Sequence, residues 1–396
     1  MRILHLIPTV NEEYGGPVAA LREAEAATRS RGVVRTVATL DLPDDPWVRR
    51  ASFATVPLGD AVGRRARRAL PWLRYGFTPH LVPWLRRQAG CHDRVVVHGL
   101  WNYVAFAARR VLPGGPAPYF VFPHGMLDPW FRAAYPVKHR CKQLSWRISE
   151  GPLLRGARAV LFTSQGERAA AEDAFQPYGL RGIVAGYGTG AAPPAGPEQA
   201  AALAAAVPDL AGRPFLLFLG RLHSKKGCDL LLHAMAAQAA RLPGHQLVLA
   251  GPDAGGYAAE LRALATRLGI ADRVHWPGML RGSAKWGALH GCEAFALPSH
   301  GENFGVAVAE ALSCGVPVLL SHKVNISAEV LADGAGLVGP DTEAGTADTL
   351  ARFAALGPDR RAAMGRRART CFLNRFQAAR VADRTLAILQ DPEPFL

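Results

Sequence analysis

Short apolar runs recur along the 396-residue chain, each followed by an Ala-rich or mixed stretch of helical character. In the first half they are 2–8, 33–40, 94–99, 118–125, 159–164 and 182–186. In the second half they are 214–220, 245–251, 273–278, 294–299, 317–321 and 336–340. Runs of this length without polar alternation suit strands buried on both faces, and the stretches between them supply the crossover helices of a parallel sheet. Two such series predict an α/β protein with two doubly wound domains. Gly16 and Pro17 are placed to open the first helix, and Gly32 lies just beyond its end.

A chain of this length is too long for one ordinary core and fits two domains of about 150–200 residues. The predicted division is a first domain over 1–190, a Gly, Ala and Pro-rich linker over 191–213, a second domain over 214–373, and closing helices from about 374 to 396. Hydrophobic residues make up 49% and charged residues 20%, the balance of a globular protein rather than a disordered one. No apolar run reaches the ~18–20 residues that cross a bilayer, and the N-terminal segment reads as a buried strand rather than a signal peptide. The six cysteines are scattered, without CxxC or metal-ligand spacing, so reduced thiols, a cytoplasmic location and no structural zinc are expected.

The net charge of +14 is uneven. Residues 1–190 carry 26 Lys and Arg against 14 Asp and Glu, whereas 191–396 carry 20 against 18. The densest basic stretch runs from Arg64 to Arg87, where Trp72, Tyr75, Phe77 and Trp84 interleave with seven arginines. Three readings stand open for it: an anionic membrane surface, a solvated helix whose aromatics belong to the core, and single-stranded nucleic acid. Nucleic-acid binding is the weakest of the three.

Candidate chemistry lies where strands run into helices, since open α/β sheets bind ligands at the carboxyl ends of their strands. After the run 214–220 come Arg221, Lys225, Lys226 and Gly227, cations suited to a phosphate-bearing ligand or to a plain surface turn. After the run 294–299 comes SHGENFGVAVAEAL. Phe304, Gly305 and Val306 sit where a helix begins, and free backbone N–H groups there favour a diphosphate, with Gly305 removing the side chain that would hold it away. Glu302 precedes the helix and Glu310 lies eight residues on, about 12 Å at helical rise, with a net rotation near 80°. That separation matches sugar and ribose across a nucleotide diphosphate sugar, and an unpaired carboxylate amid VAVAEAL would be costly.

These stretches, E-N-F-G-V-A-V-A-E with G-R-L-H-S-K-K-G upstream and C-G-V-P-V downstream, resemble the retaining glycosyltransferases of family 4. The resemblance covers most of the chain and implies the GT-B fold, two Rossmann-like domains facing across a cleft, with the C-terminal helix crossing back to the first domain. It implies a nucleotide-sugar donor on the second domain and an acceptor on the first. By it, Arg221 and Lys226 neutralise the donor pyrophosphate, Glu310 binds the ribose, and Glu302 contacts the transferred sugar beside the N–H groups of Phe304, Gly305 and Val306. Gly15 and Gly16 would let a loop close over the donor phosphates, and His124 would lie near the sugar's reactive face. His98, Trp101 and Asn102 border the same cleft and are the acceptor-side candidates. The family's Asn-Gly-Val/Ile-Asp turn is replaced here by GYGTGAA, which leaves donor contacts from that loop open.

No Asp-x-Asp occurs, so neither a metal nor another cofactor is expected, and the leaving diphosphate falls to the cations and the helix start. Front-face transfer of a sugar to a saccharide or lipid-linked acceptor in envelope or exopolysaccharide assembly is the expected reaction. Two alternatives share its features: a nucleotide-sugar epimerase of the same architecture, and an inactive binding or scaffold protein. The basic first half fits peripheral attachment to the inner face of a membrane.

Overall fold

A computed structural model describes residues 1–396 except 12–15, 62–63, 65–74 and 254, and except the side chains of 131 and 133. The chain divides into two compact units, Met1–Gly188 with Ala378–Leu396, and Thr189–Gln377.

Among the described residues the first unit is built on seven strands: β1 (Arg2–Ile7), β2 (Val34–Thr39), β3 (Ala54–Pro57), β4 (Arg94–His98), β5 (Tyr119–Phe122), β6 (Ala159–Phe162) and β7 (Gly182–Val184). Their order in the sheet is β3-β2-β1-β4-β5-β6-β7, and every pairing is parallel. The central strands β1, β4, β5 and β6 read as largely apolar runs because each face of the pleat meets its own core. Leu4, Leu6, Val95, Val97 and Val121 enter one cluster; Ile3, Val96 and Phe120 enter the other. The helix Ala378–Gln390 covers the second face with Leu386, Ile388 and Leu389. β3 lacked an apolar signature because it is a four-residue edge strand with no fully buried residue, and its terminal Pro57 is tolerated at an edge.

The second unit repeats the plan with β8 (Phe215–Leu219), β9 (Gln246–Ala250), β10 (Val274–Gly278), β11 (Ala294–Leu297), β12 (Val318–Ser321) and β13 (Gly336–Gly339), in the order β10-β9-β8-β11-β12-β13. This is the doubly wound order in which the sequence reverses direction beside the first strand. Residues 191–213, read from composition as a linker, instead carry the helix Pro197–Ala206, which packs against Gly282–Gly291 within the second unit. Gly287 makes that packing close: a Cβ there would stand 2.1 Å from the Gln199 carbonyl oxygen. The final helices part company at Gln377, Pro358–Cys371 belonging to the second unit and Ala378–Gln390 to the first.

Candidate functional site

In the second unit the strand order reverses between β8 and β11, and the residues with candidate chemistry follow those two strands. The Lys225 carbonyl joins the two loops by accepting 2.8 Å hydrogen bonds from Ser299 Oγ and the His300 N–H. The helix Val306–Ser313 starts at Gly305, whose φ of 78° lies in the left-handed region and whose lack of a side chain leaves the helix start without a side-chain cap. Phe304 is buried and packs edge-on against Phe376, 5.5 Å between ring centroids, so its side chain anchors the turn and only its backbone faces the helix start.

Glu302 is held by backbone bonds on both sides: its N–H donates to Lys323 O and its carbonyl accepts from Asn325 N, each at 3.0 Å. Its carboxylate Oε2 accepts from Lys226 Nζ, and both side chains are about four-fifths buried. Glu310, two turns past Glu302 in sequence but only one turn into the helix, accepts from Lys285 Nζ at 2.8 Å. The burial cost foreseen for Glu310 is thus met by an ion pair with a residue that sequence reasoning missed. Lys285 also lies 4.3 Å from the Trp286 ring centroid, which limits its freedom. Nothing in R-G-S-A-K-W-G marks it; only the packing of Gly282–Gly291 beside Val306–Ser313 brings it to Glu310. Lys226, expected to face a diphosphate, rests on Glu302 here with two of its three N–H donors remaining. Arg221 is exposed and has no ion-pair partner among the described residues.

The first unit presents a chain of three buried imidazoles. His5 Nδ1 lies 3.0 Å from His98 Nε2, and His98 Nδ1 lies 2.8 Å from His124 Nε2. The rings stack, and His124 also lies flat on Phe122 at 4.4 Å between centroids. Burial holds all three below the ordinary imidazole range, His98 down to about 4, so all are neutral at pH 7. His5 Nε2 is buried with no partner among the described residues. A bare lone pair there costs less than an orphaned N–H, so the protons run His5 Nδ1 to His98 Nε2 and His98 Nδ1 to His124 Nε2. His124 then keeps its own proton on Nδ1 and is a donor, not a base. Its φ of 52° holds the ring in this stack.

Two acceptor-side candidates are reassigned by these contacts. His98 is buried and has both ring nitrogens engaged within the imidazole chain. Asn102 Oδ1 accepts from Ala105 N at 3.0 Å as the cap of the helix Tyr103–Val111, and its Nδ2 donates to Leu100 O at 3.2 Å. Trp101 remains partly exposed, with Lys142 Nζ 3.9 Å from its ring centroid. Gly15 lies outside the described residues; Gly16 opens the helix Gly16–Thr28, and its carbonyl accepts from the Tyr187 hydroxyl. Of the basic stretch, Arg64 pairs with Asp45 and holds that carboxyl below its ordinary range, while Tyr75 and Trp84 pack on the core. Trp72 and the arginines between 65 and 74 lie outside the described residues.

The family model for glycosyl transferases group 1 matches residues 203–370, and that for the glycosyl transferase 4-like domain matches 15–188. A D-inositol 3-phosphate glycosyltransferase of Saccharomonospora viridis is 36% identical over 204 residues, 49% of this chain and 47% of that protein. One of Xylanimonas cellulosilytica is 38% identical over 130 residues, 32% of this chain and 30% of that protein. The chain spans less than half the length of these curated relatives. Among solved structures, Anabaena HepE in complex with UDP and glucose is 19% identical with a TM-score of 0.73, covering 98% of this chain and 99% of that one. Sucrose-phosphate synthase from Thermosynechococcus elongatus is 19% identical with a TM-score of 0.73, covering 100% of both. At these identities the structural likeness is one of fold, and the fold is GT-B.

Proposed function

This chain belongs to glycosyltransferase family 4, and from that premise we propose that it moves a sugar, with retention at the anomeric carbon, from a nucleotide-diphosphate sugar to a saccharide or lipid-linked acceptor. The observation that carries the reading is the pair of lysine–glutamate contacts, Lys226–Glu302 and Lys285–Glu310, flanking an uncapped helix start at the switch point of the second sheet. Hydroxyls at the two ends of such a donor meet the carboxylates, and its phosphates meet Arg221, Lys226 and the N–H groups at Phe304, Gly305 and Val306. Lys285 orients Glu310 for the ribose.

Departure of the nucleoside diphosphate is the costly event, and these groups stabilise its charge as it develops. The acceptor hydroxyl attacks on the face the diphosphate leaves, and a departing phosphate oxygen takes its proton. Glu302 positions the sugar rather than forming a covalent bond with it. The first unit is the acceptor side, where His124 supplies a neutral donor on Nδ1. Arg221, Lys226 and the helix start carry the diphosphate charge, so no divalent cation belongs to the proposal and turnover should survive EDTA. Envelope or exopolysaccharide assembly, on the cytoplasmic side of a membrane, is the setting that a lipid-linked acceptor implies.

The test is a thermal-shift panel with UDP, GDP, ADP and dTDP and their sugars. UDP comes first, because HepE was solved with it. A diphosphate at 100 times its dissociation constant adds about 2.7 kcal/mol of stability. The expected result is stabilisation by one diphosphate, lost in Glu310→Ala, and release of that diphosphate when acceptor is added. Stabilisation by none of them would overturn the donor site; binding without release in the presence of acceptor would leave a binding protein in place of a transferase.

A further inference from the structure

The helical segment Pro136–Ser145, continued by the wider turn Trp146–Glu150, leaves an apolar face uncovered. Val137 is 73% exposed, Leu144 61% and Ile148 68%, with Cys141 also exposed. Positions 137, 141, 144 and 148 recur at helical spacing, so they form one stripe. Arg140 and Arg147 border that stripe along one side, Lys138 lies on the other, and Arg132 belongs to the preceding helix Trp130–Ala134. None of these four cations has an acidic partner among the described residues, and no Asp or Glu occurs between Pro129 and Ser149. The opposite face is the one that meets the protein: His139 is half-buried and stacks on Phe175 at 4.7 Å, and Trp146 in the following turn is fully buried. The stripe is therefore an outward surface, not an unfinished core.

We propose that this face docks on an anionic lipid bilayer. An apolar stripe bordered by unpaired arginines suits the boundary between headgroups and acyl chains, where the apolar groups leave water and the cations meet lipid phosphates. A second copy of the chain is the poorer occupant, since a two-fold pairing of this stripe would set Arg140 and Arg147 against their own like charges. The surface is separate in sequence from Arg64–Arg87, where the membrane reading first arose. Its inner side carries Lys142 over Trp101, so the docked helix would hold the acceptor-side loop at the membrane. That last link rests on the reading of the first unit as the acceptor side; the docking itself does not.

The experiment is flotation of the full chain with vesicles of phosphatidylcholine, with and without phosphatidylglycerol. It is paired with an environment-sensitive fluorophore on Cys141 in a Cys91→Ser background, since these are the two exposed cysteines. Flotation only with anionic vesicles, a blue shift at Cys141, and loss of both in Leu144→Glu with Ile148→Glu are expected. Arg140→Gln and Arg147→Gln should each weaken partitioning about five-fold. Unchanged flotation of Leu144→Glu with Ile148→Glu would overturn the proposal. So would a Cys141 probe that stays in water while the protein floats, absence of flotation altogether, or a concentration-dependent dimer abolished by Ile148→Glu. The diphosphate thermal shift of each variant serves as control, because both substituted positions are exposed and remote in sequence from the donor residues. A retained shift with lost flotation separates the two readings.

Discussion

With Nε2 3.0 Å from His5 and Nδ1 2.8 Å from His124, His98 has no ring nitrogen left for a substrate, and its role is to pass a fixed hydrogen-bond direction along the chain. Asn at position 5 can place an amide N–H where His5 Nδ1 donates, whereas Leu cannot. His5→Asn should therefore keep near-normal turnover and His124 protonated on Nδ1, as read by nitrogen-15 NMR of the imidazoles. His5→Leu should cut kcat by on the order of tenfold and let the tautomers reverse, consistent with the size of positioning effects in proton-bearing groups. Equal behaviour of the two variants would show that the direction of the chain is immaterial. The same burial has a consequence for pH. Each imidazole is neutral in the fold but takes a proton in the unfolded chain below the ordinary value of 6.5. Stability is thus complete above pH 6.5 and is lost as the pH falls toward about 4, where His98 itself titrates. His98 contributes a slope of up to about 1.4 kcal/mol per pH unit in that window, and His5 and His124 add to the loss in the same direction. Denaturant melts from pH 7 to 4.5 measure this, and His98→Asn should flatten the curve.

Among the elements, the two helices Pro197–Ala206 and Gly282–Gly291 show how a stretch that composition marks as a linker becomes part of a unit. Their contact depends on Gly287, where an added methyl would meet the Gln199 backbone rather than a side chain that could turn away. Gly287→Ala should destabilise the second unit by about 1–3 kcal/mol through forced separation of the helices, seen as a lowered Tm. The displaced helix carries Lys285, so diphosphate binding should weaken with it. Twelve strands were legible as short apolar runs among the described residues; β3 was not, because Ala-Thr-Val-Pro is too short and too little apolar to leave such a run. The two glutamates and the cations after β8 were legible as a local motif. Lys285 was not, since its meaning comes only from a neighbour 25 residues away.

At the level of the whole molecule, the chain returns its last helix to the first unit, where Leu386, Ile388 and Leu389 close a sheet face made by Ile3, Val96 and Phe120. A chain ending at Gln377 should lose the first unit to limited proteolysis while Thr189–Gln377 keeps its diphosphate-dependent thermal shift. Intact protection of both would mean that the closing helix is dispensable. No helix among the described residues is long and apolar enough to cross a membrane. The sequence by itself determined the two doubly wound units, the family and the residues after β8 and β11, because buried parallel strands and strand-end motifs are local patterns. Only the tertiary structure decided what those residues touch. Lys226 lies on Glu302, Lys285 on Glu310, His98 inside an imidazole chain, and Asn102 on a helix end. Partners distant in sequence meet through packing, and burial then holds the three imidazoles neutral.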